Sequence, residues 1–417
     1  MNIREHPNLH PNWIDTHANG IVKALQKSNF ETYLVGGCVR DLLLGIHPKD
    51  FDIATTAQPE EIRKIIYKAY VIGKRFRLVL VKRDDQQYEV ATFRKNIEDK
   101  TDDDEEASPE GDNVFGTPEE DAMRRDFTIN GLFYDPVGDK LIDHPGGLGD
   151  LESGVIRMIG EPNARLVEDP IRILRALRLA HKVQFSIEPS LRAAMQCNAE
   201  TLLATALPRR REEILKLLKL RDPSMAFVEA YDLGVMKFLS PTLEETFESA
   251  DKLKALLHNL SNMRSLWLDS ESPLELFGHL LLYYLLAEEI FDPEKPIKAN
   301  DILEHPKVSN LMKEELGMFK YEQAIVAKAI HMQSVLQKRV DFDRKGQRRQ
   351  MAVLKNEAFP LALKFAIENQ TLESSDLNFW LSRYWDAIPV IEDLRRDESK
   401  KRKSGSRRRR KRPPGKA

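Results

Sequence analysis

Cysteine is almost missing: Cys38 and Cys197 are the only two in 417 residues. They build no disulfide framework, and neither stands in a zinc-type pair. Long apolar runs are missing as well. Leu280 to Leu286 is one of the most apolar stretches, yet it is about a third of the roughly 20 residues a bilayer span needs, so it reads as a buried helix. No secretory apolar segment opens the chain, which starts MNIREHPNLH, so a cytoplasmic protein without a membrane role is expected. His6 and His10 are spaced like a helical metal pair, but Pro7 spoils that geometry. With 64 Lys and Arg against 66 Asp and Glu, neither sign dominates. A chain this long holds two to three domains by the usual prior.

The local charge says more than the total. Lys400 to Ala417 carries 11 Lys or Arg and no acid, which leaves the first 399 residues at a net −13. This basic, Pro- and Gly-containing tail without apolar residues is expected to be disordered when free and to bind nucleic acid through counterion release. Glu98 to Asp112, EDKTDDDEEASPEGD, reads as a solvated acidic insertion and not as a metal site.

The stretch Leu34 to Ile62, LVGGCVRDLLLGIHPKDFDIATTAQPEEI, joins a glycine loop to an Asp-x-Asp run. In a strand, a period of two puts Asp50 and Asp52 on one face, roughly 6 to 7 Å apart, with Phe51 turned to the core. Two such carboxylates suit oxygen-seeking Mg²⁺, and a two-metal clamp activates an attacking hydroxyl while stabilising a leaving oxygen. Gly36 and Gly37 leave the backbone N–H groups of Val35 to Val39 free to close on a triphosphate, and Arg40 adds a forked phosphate donor. Gln87 to Arg94, QYEVATFR, alternates like a strand that pairs beside Asp52. Glu89 then either completes the metal site or stands on an edge in solvent. Cys38 in the loop is a small tolerated residue more than a reactive thiol.

Thr117, Pro118 and Glu120 form a capping box with proline at the first helical position, so a helix starts there and ends at Arg124 and Arg125. In Glu168 to Arg178, EDPIRILRALR, Arg172, Arg175 and Arg178 recur every third residue. They share one helix face, with Asp169 as N-cap and one acid to share among three arginines. From Leu207 onward the periodicity is helical, with stripes such as Leu253, Leu256, Leu257, Leu260 and Met263, or Ile325, Ala329 and Met332. A second Asp-Phe-Asp, Asp341 to Asp343, lacks a glycine loop and runs into Arg344, Lys345, Arg348 and Arg349, so it reads as a basic RNA-facing turn.

The GGCVRD loop with D-F-D, followed in order by EEDAMRRDFTIN, EDPIRILRALR and RRREEILKLL, resembles the class II nucleotidyltransferases of the polymerase-β-like superfamily, which contains bacterial poly(A) polymerases and CCA-adding enzymes. The likeness covers roughly residues 30 to 220. It implies an α+β chain: a catalytic head with a mixed sheet flanked by helices (1–155), nucleotide-reading neck helices (156–220), a helical RNA-binding body (221–395) and the disordered basic tail (396–417). It further implies ATP as substrate, RNA 3′ ends as partner and Mg²⁺ as cofactor. Arg124, Arg125 and Asp126 belong to the active-site rim, with Asp126 either catalytic or a positioner of basic groups, so the third carboxylate is Glu89 or Asp126. Asp169 and Arg172 read the base, and Arg175 and Arg178 contact phosphate or primer. Val71 to Val81, VIGKRFRLVLV, resembles the poly(A) polymerase pattern as a strand carrying Lys74, Arg75 and Arg77 toward phosphates. Arg210 and Arg211 depart from that pattern, which has apolar residues there. The expected activity is template-independent polyadenylation, with CCA addition the near alternative and an idle RNA-binding adaptor the distant one.

Overall fold

The computed structural model describes residues 2–4, 9, 11–73, 77–95, 115–266, 272–292 and 295–409, the last stretch without side chains beyond 396. Lys74, Arg75, His6, His10 and the acidic insertion lie outside the described residues. So do residues 410–417 of the tail, which the final helix Ser374–Arg409 enters. The described chain separates into two compact units, Met1–Thr205 and Ala206–Ala417.

The first unit is built on an eight-stranded mixed sheet in the order β1-β8-β7-β2-β3-β6-β5-β4. Its strands are β1 (Asn2–Arg4), β2 (Thr32–Val35), β3 (Ile53–Thr55), β4 (Ala69–Ile72), β5 (Leu78–Arg83), β6 (Gln86–Thr92), β7 (Leu132–Asp135) and β8 (Lys140–Asp143). All neighbours pair antiparallel except β3 with β6. Helices α1 (Thr16–Lys27), α2 (Gly37–Leu43), α3 (Pro59–Ile65) and α4 (Pro118–Met123) connect and cover the sheet. Asp15 caps α1 by accepting the His17 and Ala18 N–H groups. The capping box expected at Thr117 is present, with Glu120 N–H on the Thr117 hydroxyl at 3.2 Å and Thr117 N–H on the Glu120 carboxylate at 2.7 Å. Val35, Ala54, Phe93, Ala122, Phe133 and Ile142 form one core cluster, with Phe93 and Phe133 stacked at 6.0 Å.

The expectation for VIGKRFRLVLV is corrected by the sheet. It is not one strand: β4 and β5 are a hairpin in register Ile72 with Leu78, and the chain turns at Gly73, whose φ of 86° favours glycine. Arg77 in that connection pairs with Glu60.

After β8 come α5 (Gly147–Ser153), the short parallel pair β9 (Val155–Ile156) and β10 (Ser186–Ile187), α6 (Pro162–Glu168), α7 (Arg172–Val183) and α8 (Pro189–Cys197). Among the described residues the regular elements of the second unit are all helices, starting with α9 (Leu207–Leu218). Arg211, which stands where the resembled polymerases have an apolar residue, is accommodated in this unit. It is buried, grips Glu322 with both terminal nitrogens at 3.0 and 2.8 Å, and lies between the rings of Phe277 and Phe319 at 4.9 and 4.5 Å. A fully paired, ring-flanked guanidinium replaces the apolar side chain. The Leu280 to Leu286 run lies in the 15-residue helix Pro273–Ala287, buried on almost every side. Among the described residues no helix is long and apolar enough to cross a membrane.

Candidate nucleotidyl-transfer site

The site starts from the turn between β2 and α2. Gly36 has φ 75°, which favours glycine, and a Cβ there would come within 2.7 Å of Arg125 Nη1, so the arginine end would have to shift. Gly37 is under no such constraint: a Cβ would make ordinary contact with Arg40 at 3.6 Å. Helix α2 begins at Gly37, so most of the expected loop is already helical. Val35 N–H donates to the Asp52 carbonyl at 3.0 Å, which fixes the Asp-Phe-Asp segment beside this turn.

Asp50 and Asp52 are not inside the strand expected to carry them: β3 starts at Ile53, and the two acids stand in the segment just before it, both exposed, with Phe51 buried between them. The parallel register of β3 and β6 sets Ile53 against Val90, which brings Asp52 level with Glu89. No pattern within one strand could show this. Asp52 is accessible from the open side of the site, yet the protein packed around it matters. Burial, then the Glu89 charge, then Asp50 raise its pKa, while Arg125 opposes them. Glu89, Asp50 and Arg125 therefore all act on one carboxylate. Beside Asp50 opens a cavity of about 640 Å³ whose lining includes Trp13, His47, Gln87 and Tyr88. Behind the site, burial and Asp52 push the Cys38 thiol up to about 12, in keeping with an inert small residue.

The arginines divide into three groups. Arg124 and Arg125 both clamp Asp121, with Nη2 contacts of 2.7 and 2.9 Å, and Arg125 also lies over the Phe133 ring at 5.2 Å. Burial alone would raise the Asp121 pKa, but Arg125 and Arg124 more than offset it and hold the carboxyl below its usual range. Asp121 is a site residue that the sequence expectations lacked, although its i, i+3 and i, i+4 spacing to the two arginines is visible in the chain.

Asp126 is buried and accepts from Phe127 N–H at 2.8 Å, Asn130 Nδ2 at 3.1 Å and Arg175 Nε at 2.7 Å. Burial works against its charge, and Arg175 with these N–H donors prevails, so its pKa is lowered. It thus holds Arg175, and it is the Glu89 charge that acts on Asp52. Arg175 is correspondingly held by Asp126 and not presented as a free phosphate donor.

Arg172 is also engaged: it is buried against Glu168, with Nη1 at 2.8 Å, and donates to the Arg165 carbonyl at 2.7 Å. The face of α7 thus has more than one acid to share. The N-cap position of α7 is Ile171 and not Asp169, which ends α6 and whose carbonyl accepts Arg172 N–H at 3.1 Å. Arg178 stands half-buried on the same helix. Arg40 is buried as well, with Nε and Nη2 on Asp41 Oδ1 at 2.9 and 2.5 Å and Nη1 on Asn130 Oδ1 at 2.5 Å. Lys182 of α7 reaches Asp41 at 2.9 Å, so Arg40 belongs to the scaffold that ties α2 to α7. Its expected direct phosphate contact is not made available by this arrangement.

A strand-to-helix turn at Gly36, the carboxylates of Asp50, Asp52 and Glu89 and a cluster of braced arginines thus meet in the first unit, in a region that is similar to the heads of known nucleotidyltransferases. Residues 32–157 match the family model of the poly(A) polymerase head domain, and residues 184–247 match one described as the probable RNA and SrmB-binding site of polymerase A. Poly(A) polymerase I of Salmonella typhi is 42% identical over 242 residues, covering 56% of this chain and 52% of that relative. A CCA-adding enzyme of Lactobacillus johnsonii is 37% identical over 220 residues, covering 53% and 54%. The chain spans about half the length of these curated relatives. The fold is also that of the Bacillus stearothermophilus CCA-adding enzyme, solved in complex with CTP, with a TM-score of 0.63 at 24% identity over 88% of this chain and 82% of that one.

Among the described residues no three His, Cys, Asp or Glu side chains close around a ready-made metal position. The donor set nevertheless fits Mg²⁺. This ion usually takes one or two carboxylates together with waters and substrate phosphates, in place of an all-protein cage. Asp52 is held between Glu89 and Asp50 with its charged form disfavoured, a repulsion that a divalent cation would relieve.

Proposed function

We propose that this chain transfers a nucleotide from a nucleoside triphosphate to the 3′ end of RNA, and that it is a poly(A) polymerase adding AMP from ATP. The observation that carries the reading is the register of Asp52 with Glu89, beside Arg125 and the Gly36 turn. The 3′-hydroxyl oxygen bonds to the α-phosphorus as the bond to pyrophosphate breaks, and the hydroxyl proton passes to water. Asp50 and Asp52, with Glu89, would hold Mg²⁺, which supplies charge stabilisation for both oxygens of an in-line displacement. Arg125, kept in place by Asp121 and Phe133, faces the charge that develops on the phosphates. Asp169 and Arg172, joined through one backbone hydrogen bond at the start of α7, are the pair assigned to the base. We assign head, base-reading neck, RNA-binding body and tail to residues 1–155, 156–220, 221–395 and 396–417.

ATP and CTP both present an amino donor beside a ring-nitrogen acceptor, so that pair does not separate adenylation from CCA addition. The VIGKRFRLVLV stretch and the poly(A) polymerase I relatives favour ATP. The sequence similarity to CCA-adding enzymes favours the second reading. Each nucleoside triphosphate, supplied singly to an unstructured RNA and to a tRNA lacking its end, decides. Long A tails with CTP used poorly are expected; addition of two C and one A followed by arrest would make this a CCA-adding enzyme.

A further inference from the structure

The sheet places the carboxylates in a row that continues beyond them. Asp52 stands level with Glu89 on β6, Glu89 pairs with Leu80 on β5, and Leu80 pairs with Tyr70 on β4. Residues paired across strands point to the same face of a sheet. Asp52, Glu89, Leu80 and Tyr70 therefore share one face, three strand spacings or about 14 Å long. Its opposite face, through Val79, Val81, Tyr88 and Val90, is buried.

The far end of this row has the composition of a nucleic-acid platform. Tyr70 is 52% exposed and Ile72 40%. Lys82 is exposed, and its ammonium lies 6.0 Å from the centroid of the Tyr70 ring. Lys68, bonded through its carbonyl to Lys82 N–H, adds a second cation at the edge. Lysine alone would be explained as protection of an edge strand. An open aromatic ring with cations beside it, on the same face as the carboxylates, is not.

The row also has a direction. The Gly36 turn, Phe133 and Arg125 lie on the β2 and β7 side of Asp52, whereas Tyr70 lies on the β6, β5 and β4 side. In an in-line displacement the attacking and leaving oxygens stand on opposite sides of the phosphorus. With the triphosphate on the arginine side, the RNA end must come from the other. We propose that the open face of β6, β5 and β4 is the track of the RNA strand behind its 3′ end, with a base stacked on Tyr70 and the backbone phosphates on Lys82 and Lys68. About 14 Å corresponds to roughly two to four nucleotides, given a rise of about 3.4 Å per stacked residue and more when extended. This rests on the transferase reading.

Primer length tests it. With oligoadenylates of two to six residues, wild-type protein should show the KM for primer falling once the third or fourth nucleotide is present. Tyr70→Ala should remove that fall, raising the KM of long primers about tenfold or more, as expected for loss of one base–aromatic stack. The KM for ATP and kcat should stay within about twofold, and Tyr70→Phe should behave as wild type. A photoreactive base three nucleotides from the end should crosslink to β4 or β5. Transfer that is intact in Tyr70→Ala with an unchanged primer-length profile, or crosslinking of that base elsewhere, overturns the track and leaves the edge to a protein partner. Absence of transfer from any nucleotide to any RNA end would instead sink the transferase reading.

Discussion

Asp-Phe-Asp occurs twice in this chain, and the two copies behave differently. At 50–52 the chain has no regular structure, Phe51 is buried, and both carboxylates stand exposed just before β3. At 341–343 the tripeptide lies in the short helix Arg339–Asp343, with Phe342 again buried. A helix turns by roughly 200° over two residues, so Asp341 and Asp343 point away from one another. Asp343 is instead drawn to Arg383 at 3.4 Å. The phenylalanine is buried in both, and at the second copy the turn of the helix sets the two acids apart. The second copy thus ends a short helix, and the expected basic turn follows it at Arg344 and Lys345.

The largest contrast should come from removing the acids. Asp52→Ala is expected to lower AMP incorporation by a thousandfold or more, about 4 kcal/mol of lost transition-state stabilisation. Asp343→Ala should stay within a few-fold of wild type in the same labelled-nucleotide assay. Comparable losses in both would dissolve the comparison.

Next come the glycines near each copy. Gly36→Ala meets Arg125 Nη1 and adopts an unfavourable φ, which costs about 1–2 kcal/mol in denaturant unfolding and reduces transfer through the displaced arginine. Gly346 has nothing within 4 Å of a would-be Cβ and a φ of −65°. Gly346→Ala should be neutral or stabilise by up to about 1 kcal/mol.

A subtler test concerns charge. Glu89 stands second after burial among the causes that raise the Asp52 pKa. Removing its negative charge in Glu89→Gln must lower that pKa, so in metal-free protein the Asp52 carboxyl resonance should titrate at lower pH than in wild type. A midpoint that stays or rises would separate the two acids despite their register. The linkage sign follows: a raised carboxyl pKa makes the ionised form a cost to folding, present above the unfolded pKa, and Glu89→Gln lessens it.

The smallest effect is expected from the tail. Deleting Lys400 to Ala417 should leave chemistry on saturating RNA unchanged. It should reduce the log–log salt slope of RNA binding by about 0.7 for each phosphate that the tail had neutralised. An unchanged slope would give the tail another role.

Much of the site is legible in the sequence because its signals are local. The Thr117 capping box, the alternation of Gln87 to Arg94 and the glycine before Asp52 each act within a few residues of themselves. Asp121 is equally local, three and four positions before its arginines, so that clamp too was within reach of the helical period. Arg175 looks free along the chain for a different reason, whereas Glu168, the partner of Arg172, stands only four positions before it. The acid for Arg175 comes from Asp126, 49 residues away. The same separation makes Arg40 look available, when Asn130 occupies it from 90 residues on.

By itself the sequence determined the Thr117 cap, the strand within Gln87 to Arg94 and the helical second half, since period, caps and turn residues operate over one element. Only the tertiary structure decided that Glu89 joins Asp52, that Asp126 serves Arg175, and that a row of side chains runs on to Tyr70. Those are matters of register between strands and of charge pairing across the chain. A shift of one residue would turn every side chain of β6 to the other face, and nothing within β3 or β6 alone states which register is taken.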